Sequence, residues 1–354
     1  MAEQVDALRA HVDVDVLCCS PGASDPPCRR DSGVRVTYAN TATLLGSGRI
    51  GLVATTFRYA AALRRYLKER VGSYDLVHAH FGFPDAYVAA RAVRRARIPL
   101  VVTLHGDDAF YVAPRDDLVG RVMRRGLRSA RIIICVSHAM ADVVWSVLPS
   151  IDVRVVSNGY DSALFRVSNG VSNAERDLGI LFVGLLVPVK NVDLLLRAYE
   201  RVREHIDAPL TIVGDGPLRA ELEQLAVTLG VADTVDFLGY RPRAEVATLM
   251  QRASVLALPS SSEGYGLVLA EALACGTPVV ASRVGGVPEI VASSSAGTLV
   301  PPGDIDALTD ALTHWARASV DRSVVVASSG AHPWSEAVLD VARAYRDCLG
   351  LPSE

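Results

Sequence analysis

The longest uninterrupted apolar run in the chain, Ile180–Val189, is about half of the roughly 20 residues that a membrane-spanning helix needs. The opening residues, MAEQVDALRAH, lack a basic region followed by an apolar core, so no secretory leader is read there and a cytoplasmic location is expected. Six cysteines (Cys18, Cys19, Cys28, Cys135, Cys275, Cys348) offer neither a C-x-x-C pair nor His spacing suited to zinc, and are read as buried thiols in a reducing compartment. Neither half contains G-x-G-x-x-G with an acidic residue about 20 positions further on, which excludes an ordinary dinucleotide oxidoreductase. A basic surplus is also absent, since 36 Lys and Arg face 39 Asp and Glu.

That near balance hides an asymmetry. Residues 1–156 carry 21 basic and 15 acidic side chains, a charge of +6, which leaves −9 for the remainder. The basic residues are spread over several helices without interleaved aromatics, which argues against nucleic acid. An anionic membrane face or a phosphorylated acceptor is the expected partner of this half. The segment Arg58–Arg70 (RYAAALRRYLKER) puts Ala, Leu and Tyr on one helical face and basic residues on the other, the pattern of a peripheral membrane contact and equally of a domain helix with a solvated basic face.

Short apolar runs bounded by turn residues alternate with amphipathic stretches from end to end, the pattern of parallel sheets covered by helices. Strands are predicted at Val12–Cys18, Val34–Tyr38, Leu76–Ala79, Leu100–Leu104, Ile132–Val136 and Val153–Val156. A segment rich in Ser, Asn and Asp follows Ser157. A second series then gives strands at Gly179–Val183, Leu210–Val213, Val235–Leu238, Val255–Leu258 and Val279–Ala281. Helices are predicted at Val192–Ile206, Leu218–Leu229 and Ala244–Gln251. The fold class is α/β with two Rossmann-like doubly wound domains facing a cleft: residues 1–157, a linker at 158–178, and 179–330. Residues 331–354 form a C-terminal helix that could cross back to the first domain.

Ligands of such domains bind outside the carboxyl ends of the strands. The densest signal is LPSSSEGYGLVLAEALACGTPVVAS, residues 258–282, where a strand ends at Pro259 and a helix starts near Gly266. Backbone N–H groups of Gly264, Tyr265, Gly266 and Leu267 would face a phosphate at that helix N-terminus. Glu263 in the loop and Glu271 about one and a half turns into the helix would face one cleft, where carboxylates suit sugar hydroxyls. Taken singly, each glutamate is ordinarily a solvated charge. Here the two bracket a Gly-x-Gly turn on an apolar helix that Gly276–Pro278 stops.

This stretch resembles the E-x7-E signature of the family 4 glycosyltransferases, retaining enzymes of the GT-B fold. The resemblance extends through ILFVGLLVPVKNVDLLLRAYERV, TIVGDGPLRAEL and VDFLGYRPRAEVATLMQRASVLALPSSSEGYGL, covering nearly all of residues 180–302. It implies a nucleoside diphosphate sugar as donor, such as a UDP- or GDP-sugar, with no cofactor and no metal. Glu263 would bind the sugar ring near the reacting carbon, Glu271 the ribose, and Lys190, just past Gly184, the diphosphate. The turn Gly239-Tyr240-Arg241 would lie beside the nucleobase. Asp215, in Gly214-Asp215-Gly216-Pro217, is either a donor contact or a turn residue ahead of a helix. Many relatives carry Arg where this chain has Leu185, and losing one charge-assisted contact would cost roughly 1.5–3 kcal/mol.

In the first half, VVTLHGDDAF (101–110) places His105 at the end of an apolar strand, and it resembles the family's H-G-x-D loop, whose His touches the transferred sugar. His78, His80 and His138 are read as structural or cleft-lining. The resemblance also implies a central first strand with a Gly-rich turn ahead of the helical stretch Glu3–Ala10, and that strand is expected to be absent, weakening the first domain. A metal-dependent transferase would need a D-x-D metal pair. Asp13-Val-Asp15 reads instead as a half-buried strand and Asp304-Ile-Asp306 as a helix cap. The function expected is transfer of a sugar to a hydroxyl acceptor, a glycan, a glycolipid or a small molecule. A non-catalytic nucleotide-sugar-binding relative is the alternative.

Overall fold

Runs rich in Val, Ile and Leu, each closed by a Gly, Pro or polar turn, form parallel strands, and the amphipathic stretches between them form helices. The structure is a computed structural model and describes residues 2–20, 28–29, 35–40, 60–61, 63–168 and 178–352. Arg58 and Tyr59 of the basic segment, residues 169–177 of the expected linker, and the side chains of Cys18, Cys19 and Cys28 lie outside what is described. The chain forms two compact units, Met1–Ser157 with Trp334–Glu354, and Asn158–Pro333.

The first unit has strands β1 (Asp15–Ser20), β2 (Cys28–Arg29), β3 (Arg35–Asn40), β4 (Val77–His80), β5 (Leu100–Leu104), β6 (Ile132–Cys135) and β7 (Asp152–Val155). They pair as two separate sheets, β1-β3-β2 and the all-parallel β4-β5-β6-β7, so that among the described residues β1 and β4 each end a sheet. Every residue of β5 and β6 is buried, as expected of strands covered on both faces. Helix α1 (Ala2–Leu8) and the last helix, α2 (Trp334–Leu349), lie over one face. Leu8, Trp334, Val338 and Val341 pack there with Val101, Ile132 and Ile134, whose spacing of two on β6 puts Ile132 and Ile134 on the same side of the sheet.

The second unit carries one six-stranded parallel sheet in the order β10-β9-β8-β11-β12-β13. Its strands are β8 (Ile180–Val183), β9 (Leu210–Val213), β10 (Val235–Gly239), β11 (Val255–Leu258), β12 (Val279–Ser282) and β13 (Gly297–Val300). The chain runs from β8 outward to β10, then returns to place β11 on the other side of β8. The switch of direction between β8 and β11 leaves a crevice at their carboxyl ends, and the loops after these two strands are the ones that carry Lys190 and Glu263. Strand β13 was not foreseen, because GTLV is short and carries a Gly, and it is followed by the helix Ile305–Arg317. Asp304 caps that helix by accepting from Ala307 N at 2.9 Å, which matches its reading as a cap.

The last helix is tied to the first unit's sheet by a polar contact as well. His78 Nδ1 lies 2.6 Å from Tyr345 Oη and His78 Nε2 lies 2.7 Å from Thr103 Oγ1, so one imidazole bridges β4, β5 and the C-terminal helix. Burial, reinforced by nearby His105, lowers the His78 pKa from 6.5 to about 3. In the unfolded chain an ordinary His takes up its proton near pH 6.5, so this contribution to stability is complete above that pH and is lost as the pH falls toward 3. Acidification from pH 7 to pH 4 should therefore cost about 3 kcal/mol through His78 alone. Melting curves of the wild type and His78→Gln across this range check it: the variant should show a shallower loss below pH 6.5, and parallel curves would refute the assignment.

Candidate functional site

Three loops of the second unit meet at the carboxyl ends of β8, β11 and β12. The loop after β8 ends in a tight turn, Pro188–Lys190, followed by Asn191 in the left-handed conformation (φ 48°). Asn191 Nδ2 donates to Pro259 O at 3.1 Å, and Ser261 N donates to Val189 O at 2.8 Å, so this loop is stitched to the one after β11. On the far side, Gly286 N reaches Glu263 O at 3.3 Å. Gly285 has φ +50° and an added Cβ would stand 1.8 Å from Glu263 O, so only glycine lets the β12 loop come this close.

These contacts fix the backbone of Glu263. Its side chain is largely buried, and Oε1 accepts from Lys190 Nζ at 2.5 Å and from Ser260 Oγ at 2.7 Å. A carboxylate withdrawn from water needs such partners. Both contacts fall on the same oxygen, Oε1, so a ligand would meet Oε2.

Just beyond, the helix Leu267–Ala274 starts at Gly266 (φ +98°). Residues Leu269–Ala274 are all buried, Glu271 among them. The helix stops through a left-handed Gly276 (φ +73°), with Gly276 N donating to Leu273 O and Thr277 N to Ala272 O, a glycine-terminated Schellman end. The buried Glu271 carboxylate is paired through Oε1 with Arg243 Nη2 at 2.8 Å, and the Arg243 guanidinium lies 5.1 Å from the Phe165 ring centre. Tyr265 is buried and Gly264 half-buried in the turn between the two glutamates.

The loops after β8, β9 and β10 are also packed backbone against backbone. Gly214 has φ +133°, a Cβ there would meet Gly184 O at 1.8 Å, and Gly214 N donates to Gly239 O at 2.9 Å. Leu186 N donates to Asp215 O, while the Asp215 carboxylate accepts from Gly216 N at 2.8 Å and is exposed, the geometry of a turn residue. Tyr240 is 76% exposed after β10, and Arg241 pairs with Glu245 one turn along its helix. Leu185 is 65% exposed.

The first unit holds its own cluster at the ends of β4 and β5. His80 Nδ1 and His105 Nε2 are 2.9 Å apart, and the two rings lie 21° from parallel with centroids 5.2 Å apart, meeting edge to edge. His78, two residues before His80 on the same strand face, stacks on it at 4.4 Å. Burial lowers the pKa of His80 well below the usual histidine range, and lowers that of His105 against the opposing pull of the Asp108 carboxylate, so both rings are neutral at pH 7. Asp108 is buried and holds the loops in place: Oδ1 accepts from His105 N, Gly106 N and Ala109 N at 3.0–3.1 Å, and Oδ2 accepts from Gly82 N.

Within the second unit, Gly184, Lys190, Asp215, Glu263, Gly264, Tyr265, Gly266, Leu267 and Glu271 thus gather on connected loops, with Tyr240 and Arg241 following the strand beside them. His105 belongs to the first unit. Ser260, Arg243 and Asp108 were not singled out from the sequence, and His80 was read there only as structural or cleft-lining. Asp108 closes the H-G-x-D run, a signal that was present. Ser260 and Arg243 acquire meaning only from the residues they touch. His138 is exposed at a helix start, and Cys135, Cys275 and Cys348 are buried free thiols, the first two with pKa values raised by burial to about 12.

Two family models match the chain: "Glycosyltransferase Family 4" over residues 1–164 and "Glycosyl transferases group 1" over residues 168–324. N-acetyl-alpha-D-glucosaminyl L-malate synthase of Bacillus anthracis is 32% identical over 67% of this chain, and the match takes in 64% of that protein, less than two thirds of its length. D-inositol 3-phosphate glycosyltransferase of Mycolicibacterium paratuberculosis is 31% identical over 91% of this chain and 77% of its own. Among solved structures, sucrose-phosphate synthase from Thermosynechococcus elongatus superposes with a TM-score of 0.79 at 24% identity, covering 98% of this chain and 92% of that one. Anabaena HepE in complex with UDP and glucose gives 0.72 at 22%, covering 89% and 87%. On this evidence the chain belongs to the glycosyl transferases group 1, family 4 glycosyltransferases, and has their GT-B fold.

Proposed function

We propose that this protein transfers a sugar from a nucleoside diphosphate donor to a hydroxyl acceptor with retention of anomeric configuration and without a metal ion. The observation that carries this is the pair of largely buried carboxylates, Glu263 and Glu271, each held by its own cation on either side of the glycine turn that opens the helix at Leu267. In this reading Glu271 binds the ribose hydroxyls and Glu263 the sugar ring through its second oxygen. Lys190 turns from Glu263 to the diphosphate as donor binds. The backbone N–H groups at Gly264–Leu267 stabilise charge developing on the leaving diphosphate, which is where preorganised donors contribute most. Gly184 allows close approach of the phosphates, Tyr240 and Arg241 flank the base, and His105 touches the transferred sugar. No side chain is assigned as general base; a phosphate oxygen of the departing nucleotide takes the acceptor proton.

The acceptor class follows from charge. The +6 balance of residues 1–156 favours an anionic hydroxyl compound, and the malate and inositol phosphate in two relatives' names belong to that class. A contact with an anionic membrane through the basic segment is also proposed. In helical residues 63–70, Leu63 and Leu67 are buried in the unit while Arg64, Arg65, Lys68 and Arg70 are exposed, so that contact would be electrostatic rather than inserted. Co-sedimentation with anionic vesicles should then occur at low salt and vanish as salt rises, and no binding at any salt would end the membrane proposal.

Donor turnover tests the main reading. With UDP- and GDP-sugars as donors, Glu263→Ala should lower kcat by about 100-fold or more, the scale of losing a group aimed at developing charge. Glu271→Ala should chiefly raise donor KM, by about tenfold for one lost hydrogen-bonding partner. Equal, small effects of both would count against the roles given. Activity should persist through EDTA treatment and dialysis; abolition by EDTA with recovery on adding a divalent cation would sink the metal-free mechanism.

A further inference from the structure

The 2.9 Å contact between His80 Nδ1 and His105 Nε2 constrains chemistry that the proposed function leaves open. Two neutral imidazoles share one proton along such a contact, and each ring carries one N–H in all. Either His105 donates from Nε2 and keeps a bare Nδ1, or it accepts at Nε2 and presents Nδ1–H. In both states Nε2 is engaged by His80, and Nδ1 is the ring nitrogen left for a ligand.

We infer that His80 is a positioning residue for His105: it holds the ring's tautomer and orientation so that His105 meets its ligand through Nδ1. Four further observations support this. His80 is itself held on a second side, its ring stacked on that of His78 with centroids 4.4 Å apart. His78 is in turn locked by Tyr345 and Thr103, so the row of rings is anchored at its inner end. The backbone of His105 is fixed independently, since its N–H donates to Asp108, which leaves ring rotation as the freedom His80 removes. Phe81, with its ring 4.8 Å from that of His105, covers the same ring from another side.

The inference rests on the proposed contact between His105 and the transferred sugar, and the experiment separates the two. His80→Phe keeps a flat ring for stacking on His78 but removes the nitrogen. His80→Asn places a polar atom close to where Nδ1 stood, and His80→Gln places it one bond further out. With 15N-imidazole-labelled histidine at pH 7.5, the wild type should show His105 as one tautomer, and His80→Phe should show its two nitrogen shifts drawn together as tautomers interchange. Turnover should fall about tenfold in His80→Phe, as expected for one net hydrogen bond. UDP affinity, set in the other unit, should be unchanged. His80→Asn should restore most of the rate and the single tautomer, and His80→Gln neither. An unchanged His105 spectrum in His80→Phe, or rescue by Gln equal to that by Asn, would overturn the inference. If the spectra behave as stated but His105→Ala leaves turnover intact, the coupling holds and the sugar-contact reading of His105 falls.

Discussion

Glu263 and Glu271 are largely buried at the carboxyl end of the second unit's sheet, and the need to give each carboxylate a partner organises the loops around them. A buried carboxylate without a partner is driven to neutralise, and removing one member of a buried pair costs about 3–5 kcal/mol. Lys190 and Ser260 hold the first carboxylate, and Arg243 holds the second. Bringing Lys190 there requires the β8 loop to lie against the β11 loop, which Asn191 and Ser261 secure through hydrogen bonds to Pro259 and Val189. Bringing the β12 loop against the Glu263 backbone requires Gly285, because any Cβ would collide with the Glu263 carbonyl. The glycines are therefore consequences of where the charge sits.

The first unit answers a related problem with hydrogen bonds instead of ion pairs. Asp108 gathers four backbone N–H groups from two loops, so its charge is stabilised by donors that would otherwise be unpaired. The three histidines beside it stay uncharged because burial disfavours their protonation. A neutral ring can donate or accept a hydrogen bond without adding a positive charge to the cluster. In both units these polar clusters stand at the carboxyl ends of parallel strands, where successive loops converge and the sheet itself supplies rigidity.

Strand and helix positions were readable because parallel strands buried on both faces are unbroken apolar runs: LVVTL (100–104), LTIV (210–213) and VLAL (255–258) were placed with the bounds that the structure gives. Others shifted by a residue or more where apolar and polar residues alternate, as in β1, expected from Val12 and found from Asp15. The family resemblance named Glu263, Glu271, Lys190 and His105, since those residues sit in fixed spacing on one continuous motif each.

Their partners were beyond reach of the sequence. Arg243 and Glu271 are 28 residues apart, Lys190 and Glu263 are 73, His80 and His105 are 25, and His78 and Tyr345 are 267. No local periodicity links such pairs. By itself the sequence determined which residues carry charge and which runs must be buried, because hydrophobic period and motif spacing are local properties. Only the tertiary structure decided which cation meets which carboxylate and which histidine nitrogen is engaged. Those are set by sheet order and by loops that approach to within a hydrogen bond only after the strands have packed.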